Sequence, residues 1–159
     1  MRPKVYLETT IPSYLTARPS RDLVVAAHQE VTREWWEVRR NEFDLFVSQY
    51  VLDEAVLGDP DATRRRMEAL AGIPLLDSTE DAFALADAIL QRLELPQKAW
   101  TDCMHIAIAA TNGIEYLLTW NCAHIANAEF REPISAVCGD FGVEPPIICT
   151  PDEFSKEPP

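Results

Sequence analysis

The chain has 159 residues, 47% of them hydrophobic and 25% charged, which fits one folded domain with a substantial core and excludes a disordered or fibrous chain. Its 14 basic and 26 acidic residues give a formal charge of −12. That balance argues against broad, sequence-independent nucleic-acid binding, which needs a positive surface, but leaves room for a confined site whose metal ions offset local negative charge.

In chain order, residues 4–8 read as a short buried strand that ends in a carboxylate, Glu8, followed by Thr9, Thr10 and a proline. A helix is expected next, with Ser20 as its N-cap and Asp22 in its first turn. Val24, Ala27, Val31, Trp35 and Val38 make an apolar stripe at helical spacing. FDLFVS is a second strand, and Ser48 is placed to cap a helix over QYVLDEAVL that stops at Gly58. Asp59 followed by Pro60 opens another helix, DATRRRMEALA. IPLLD is a third strand. The Ser78–Asp81 spacing resembles a capping box and starts a helix that ends before Pro96. AWTDCMHIAIAATNG is a helix with Gly113 as its C′ residue, and EYLLTWN is a fourth strand. CAHIANAEF reads as a short helix, Pro133 as the start of another, and PPIICT as the last strand. Strands separated by helices imply an α/β fold with a parallel sheet of four to five strands covered on both faces. Residues 1–154 are expected to form one domain and residues 155–159 a polar tail.

No apolar run reaches the roughly 18 residues of a membrane span, and MRPKVYLETT lacks the apolar segment of a signal peptide. Cys103, Cys122, Cys138 and Cys149 show no CxxC spacing and read as reduced thiols. A cytoplasmic location with no membrane partner is the resulting expectation.

Open parallel sheets bind ligands beyond the carboxyl ends of their strands. Four polar groups fall at such points. Glu8 ends the first strand, Glu54 lies in the helix after the second, Asp102 opens the helix before the fourth, and Asn121 follows the fourth. Oxygen ligands of this kind suit Mg²⁺ or Mn²⁺ and not zinc. Close carboxylates repel one another, so the cluster is stable mainly when a cation or proton offsets it.

The segments VYLETTIPSYL, SQYVLDE, TDCMHIAIAATNGIEYLLTWNCAHIAN and IICTPDEF together resemble PIN-domain ribonucleases, and most nearly the VapC-type toxins of bacterial toxin–antitoxin pairs. The resemblance covers about residues 4 to 154, and its most specific part is the Asp102–Ala109 stretch followed by LLTWNCAHI. It implies an α/β/α sandwich and RNA cleavage dependent on Mg²⁺ or Mn²⁺. It places Glu8, Glu54 and Asp102 as metal ligands, with Asn121 as the fourth polar position of the catalytic set and Thr119 as a nearby hydroxyl. Thr9 and His105 stand as supporting groups, and Arg18, Arg21 and Lys98 flank segments entering the site, where they would meet RNA. The resemblance also implies a small antitoxin partner and a homodimer. Two departures matter: the first position is usually Asp and here is Glu, and the fourth is often Asp and here is Asn121. They favour one metal over two and keep a second reading in view, a weakly catalytic PIN fold retained as a protein-binding module.

Other signals carry less. The pairs CMH at 103–105 and CAH at 122–124 have a zinc-like look, but residues two apart on a helix point about 200° from each other. His105 lies on roughly the same helical face as Asp102, and His124 suits packing and phosphate contact equally. A Cys–His protease lacks a third group, a receiver domain lacks its lysine after the last strand, and no P-loop is present. RRR at 64–66 fans out on a helix and reads as a solvated face. Trp35 falls on the apolar stripe, whereas Trp36 is a candidate anchor for a partner.

Overall fold

The central strand of the sheet is the first in the sequence. β1 (Lys4–Leu7) pairs with β2 (Asp44–Ser48) on one side and β4 (Tyr116–Leu118) on the other. β3 (Leu75–Leu76) lies outside β2 and β5 (Ile147–Cys149) outside β4, so the order is β3-β2-β1-β4-β5, and every pairing is parallel. The computed structural model describes residues 1–154; the expected polar tail at 155–159 lies outside the described residues. Successive strand residues point to opposite faces. Val5, Tyr6 and Leu7 are all fully buried, so both faces are covered and the layers form an α/β/α sandwich, as expected.

The helices are α1 (Thr10–Thr16), α2 (Leu23–Glu34), α3 (Gln49–Ala55), α4 (Pro60–Leu70), α5 (Glu80–Arg92), α6 (Trp100–Thr111) and α7 (Arg131–Asp140). α1 packs against α2 and α4, and α5 against α6 and α7. α6 is buried along most of its length, from Cys103 to Ala110, and carries Asp102 in its first turn. It ends as expected at Gly113, whose φ is +65°. The Gly113 amide donates to the Ala110 carbonyl and the Ile114 amide to the Ala109 carbonyl, the two bonds of a Schellman motif.

Several local expectations give way to better-placed neighbours. α1 has no counterpart in the sequence reading, because Pro12 masks it; proline is tolerated there because it falls in the first turn. Asp22, not Ser20, caps α2: its carboxylate accepts from the amides of Val24 and Val25, while Ser20 Oγ accepts from the Asp22 amide. The stripe on α2 is interrupted, with Val24 65% and Val38 66% exposed. From Trp35 to Arg39 the helix widens into a π turn, which shifts the register that put Val38 on the buried face. Trp35 is buried against Phe43, whereas Trp36 is half-buried beneath the Arg40 guanidinium.

Thr79, not Ser78, caps α5. Ser48 makes no cap, because its hydroxyl bonds Tyr6 instead. The segment after β4 is a turn and not a helix. Asn121 accepts the amides of Ile125 and Ala126 on its carbonyl, and Asn127 resumes extended backbone and caps a single 3₁₀ turn over Ala128–Phe130. α7 then starts at Arg131, two residues before Pro133.

Within the basic run Arg64 lies on a solvated face, as expected, pairing with Asp61 and Glu68, whereas Arg65 and Arg66 form a clamp. Arg65 Nε donates to the Thr16 carbonyl, and Arg66 donates to the carbonyls of Ala55 and Leu57, tying α4 to the ends of α1 and α3. All four cysteines are free thiols, and burial pushes Cys103 and Cys149 up to about 12 and Cys138 to about 11. Among the described residues no helix is long and apolar enough to cross a membrane.

The capping assignment has a direct test. Asp22→Ala should lower unfolding stability in urea by about 1 kcal/mol, whereas Ser20→Ala, which leaves both amides of the α2 first turn capped, should cost well under half of that.

Candidate metal centre

The strand order reverses at β1: the chain runs outward to β2 and β3, then returns to the other side of β1 as β4. That switch point opens a crevice beyond the carboxyl ends of β1 and β4. Glu8 stands at its centre. The Glu8 amide donates to the Leu118 carbonyl at 3.0 Å, extending the β1–β4 ladder by one bond. Its carbonyl accepts from Ile11 in α1. Backbone bonds on both sides therefore fix the direction of the side chain.

Glu8 is only 3% exposed. Oε1 accepts from Thr10 Oγ1 at 2.5 Å and Thr119 Oγ1 at 2.6 Å, and Oε2 accepts from the Thr10 amide at 3.2 Å. Burial nonetheless pushes this carboxyl above the usual range, against the lowering influence of His105, Thr10 and Thr119. Glu54, on α3, is one-third exposed and shifts the other way. Burial is its largest single influence and raises it, but the hydrogen bond and electrostatic influence of His105, with the Thr9 hydroxyl at 2.7 Å, together outweigh burial and lower it.

Ligand atoms of Glu8, Glu54 and His105 all lie within 4.8 Å of one another. Among the described residues no Lys or Arg pairs with either carboxylate. Two close carboxylates, one destabilised by burial and neither paired with Lys or Arg, form a site that a divalent cation fits, while both ring nitrogens of His105 are engaged by Glu54 and Tyr6. Asp102 does not belong to this triad. Its Oδ1 accepts from Asn121 Nδ2 at 3.1 Å, and its Oδ2 meets His124 Nδ1 at 2.9 Å. The link to Glu8 is indirect: the Asn121 amide donates to Thr119 Oγ1, which donates to Glu8. Asn121 Oδ1 accepts from the His124 amide, so this side chain fixes both Asp102 and the turn that carries His124.

The structure thus gathers Glu8, Glu54, Thr9, Thr119 and His105 in one group and Asp102, Asn121 and His124 in an adjoining one. Asp53 bonds Gln49 on the exposed side of α3. Arg18, Arg21 and Lys98 are exposed, and Arg18 lies 3.7 Å from Asp61. His105 is fully buried between Glu54 and Tyr6, away from any shared ligand set with Cys103. Thr10 and Tyr6 were not legible as site residues. The Thr9–Thr10 pair after Glu8 was the available signal for Thr10, since hydroxyls beside a buried carboxylate satisfy it.

The sequence profile of the PIN domain matches residues 5–121. A search among curated proteins found no match. Among solved structures the chain is similar to one described as VapBC2 from Rickettsia felis bound to a DNA fragment from their promoter. The TM-score is 0.58 and the identity 13%, over 92% of this chain and 98% of that one. That level of identity bears on the fold alone. The profile match spans most of the chain, which therefore belongs to the PIN-domain family.

The opposed shifts give a pH test in metal-free protein. A carboxyl raised on folding favours the folded state below its ordinary value near 4.5 and loses that contribution as pH rises through its folded value. Glu8→Gln should therefore be more resistant to urea than wild type at pH 8, with the gap closing toward pH 4.5. Glu54, lowered on folding, contributes above 4.5 and loses its contribution as pH falls through its folded value. Glu54→Gln should be less stable than wild type at pH 8.

Proposed function

We propose, from membership of the PIN-domain family and the convergence of the Glu8 and Glu54 carboxylates at the switch point, that the chain is a metal-dependent endoribonuclease and the toxin of a toxin–antitoxin pair. The approach of ligand oxygens of Glu8 and Glu54 to within 4.8 Å of each other is the observation that carries this reading. Glu8, Glu54 and Asp102 would hold Mg²⁺ or Mn²⁺. When bound, the ion lowers the pKa of a water and offsets charge on the leaving oxygen of a phosphodiester.

The chain's own groups orient the reaction. Thr119 and Thr10 hold the Glu8 carboxylate, Thr9 and His105 hold that of Glu54, and Asn121 and His124 hold that of Asp102. Arg18, Arg21 and Lys98, all exposed, would meet RNA phosphates. Attack of water at phosphorus, with departure of the 3′ oxygen, would leave a 3′-hydroxyl and a 5′-phosphate. A small antitoxin would restrain the enzyme by placing a cationic side chain at the acidic groove, and a homodimer and a cytoplasmic location complete the proposal.

RNA cleavage in Mn²⁺ tests it. EDTA should abolish cleavage, and Asp102→Asn and Glu8→Gln should each reduce it by roughly a hundredfold or more. Glu8→Asp should retain or raise it. A wild-type protein inert in Mn²⁺ would favour a PIN fold kept for protein binding. Expression of the chain alone should arrest growth. Harmless expression with activity in vitro would replace the toxin role with a housekeeping ribonuclease.

A further inference from the structure

Behind Glu54 runs a chain of buried polar groups of which the proposed chemistry uses only His105. Ser48, at the end of β2, Tyr6, in the central strand, and His105, on α6, are all fully buried. Ser48 Oγ lies 2.7 Å from the Tyr6 hydroxyl, that hydroxyl 2.6 Å from His105 Nδ1, and His105 Nε2 2.6 Å from Glu54 Oε1. The chain links four elements and reaches solvent only at Glu54, whose side chain is 34% exposed.

Its direction follows from the acceptor at its end. A Glu54 carboxylate that holds a cation is ionised and only accepts. His105 must then present Nε2–H to it. A phenol kept protonated by burial can supply its O–H to Nδ1, and Ser48 can donate to the phenol oxygen. Tyr6 thereby occupies the far ring nitrogen, Nδ1, and holds the ring against Glu54. Without that hydroxyl the ring loses the buried partner that fixes its orientation, and with it the direction of its bond to Glu54. Metal-ligating groups commonly depend on such outer partners for orientation. Here the ligand is a carboxylate and the outer partner an imidazole, the reverse of the usual arrangement.

We propose that Tyr6 and His105 are positioning residues that set the affinity of the metal centre by orienting Glu54, with His105 acting through its hydrogen bond and not as a ligand. This rests on the metal-binding reading above. The relay requires that a hydroxyl buried in the sheet, with no bond to either carboxylate of the cluster, tunes cation binding.

Mn²⁺ binding to the full-length chain, followed by the paramagnetic resonance signal of the free ion, tests it without reference to activity. Tyr6→Phe should weaken binding by roughly tenfold. His105→Leu should weaken it more, and His105→Gln, which keeps an N–H donor directed at Glu54, should recover part of that loss. Circular dichroism and thermal unfolding identify the folded variants, and the His105 pair serves if Tyr6→Phe does not fold. Folded variants that bind Mn²⁺ as wild type does would overturn the relay while leaving the metal centre intact. A directly coordinated ¹⁴N coupling in the bound Mn²⁺ spectrum that vanishes in His105→Gln would overturn it too, by making His105 a ligand. A wild-type chain that binds no Mn²⁺ would overturn both the relay and the metal reading beneath it.

Discussion

A carboxylate buried at the point where the strand order reverses is the constraint on which the remaining structure depends. An ionised group out of water is costly unless hydrogen-bonded and paired with opposite charge. Glu8 has the hydrogen bonds, from Thr10 and Thr119, and no Lys or Arg among the described residues as a charge partner. The fold contributes heavily to keeping it there. The ladder bond to Leu118, the first bonds of α1 and the Thr10 hydroxyl, which also accepts from the Trp120 amide at 2.8 Å, all converge on this one position. Such a site is strained in the direction a cation relieves.

The neighbouring carboxylates are managed differently. Glu54 is partly open, gripped by a histidine and a threonine, and shifted downward where Glu8 is shifted upward. Environments that push two close acids apart are characteristic of sites with divided roles. One carboxylate is poised to gain a cation, and the other is already ionised to meet it. Asp102 is linked to Glu8 only through Asn121 and the Thr119 hydroxyl, with both its oxygens engaged by Asn121 and His124. Asn in place of the family's more usual Asp at 121 therefore has a structural counterpart: its amide donates to Asp102, which a carboxylate cannot do. The longer Glu at position 8 likewise reaches two threonine hydroxyls within one crevice.

Much of this was legible in the sequence, and the reasons are local. Strand runs such as VYL and FDLFVS, the Asp59–Pro60 start and the Gly113 stop are signalled by neighbours in sequence, and their elements appear where expected. Glu8 and Glu54 were recognisable because strand ends in a parallel sheet face one crevice. What escaped depends on contacts distant in sequence. Ser48 fails as a cap because Tyr6, 42 residues away, takes its hydroxyl. Arg65 and Arg66 are clamps only because the carbonyls of Thr16 and Ala55 arrive beside them. His105 shares a helical face with Asp102 but bonds Glu54, a choice made by the packing of α3 against α6. The helix expected after β4 is lost to Asn127, whose side chain caps the next turn instead.

Anomalous scattering from crystals grown with Mn²⁺ tests the central claim most directly. A single peak should lie within coordination distance of both the Glu8 and Glu54 carboxylates, in the crevice beyond β1 and β4. Absence of any peak there at saturating Mn²⁺, or a peak held by Asp102 and His124 alone, would contradict the account.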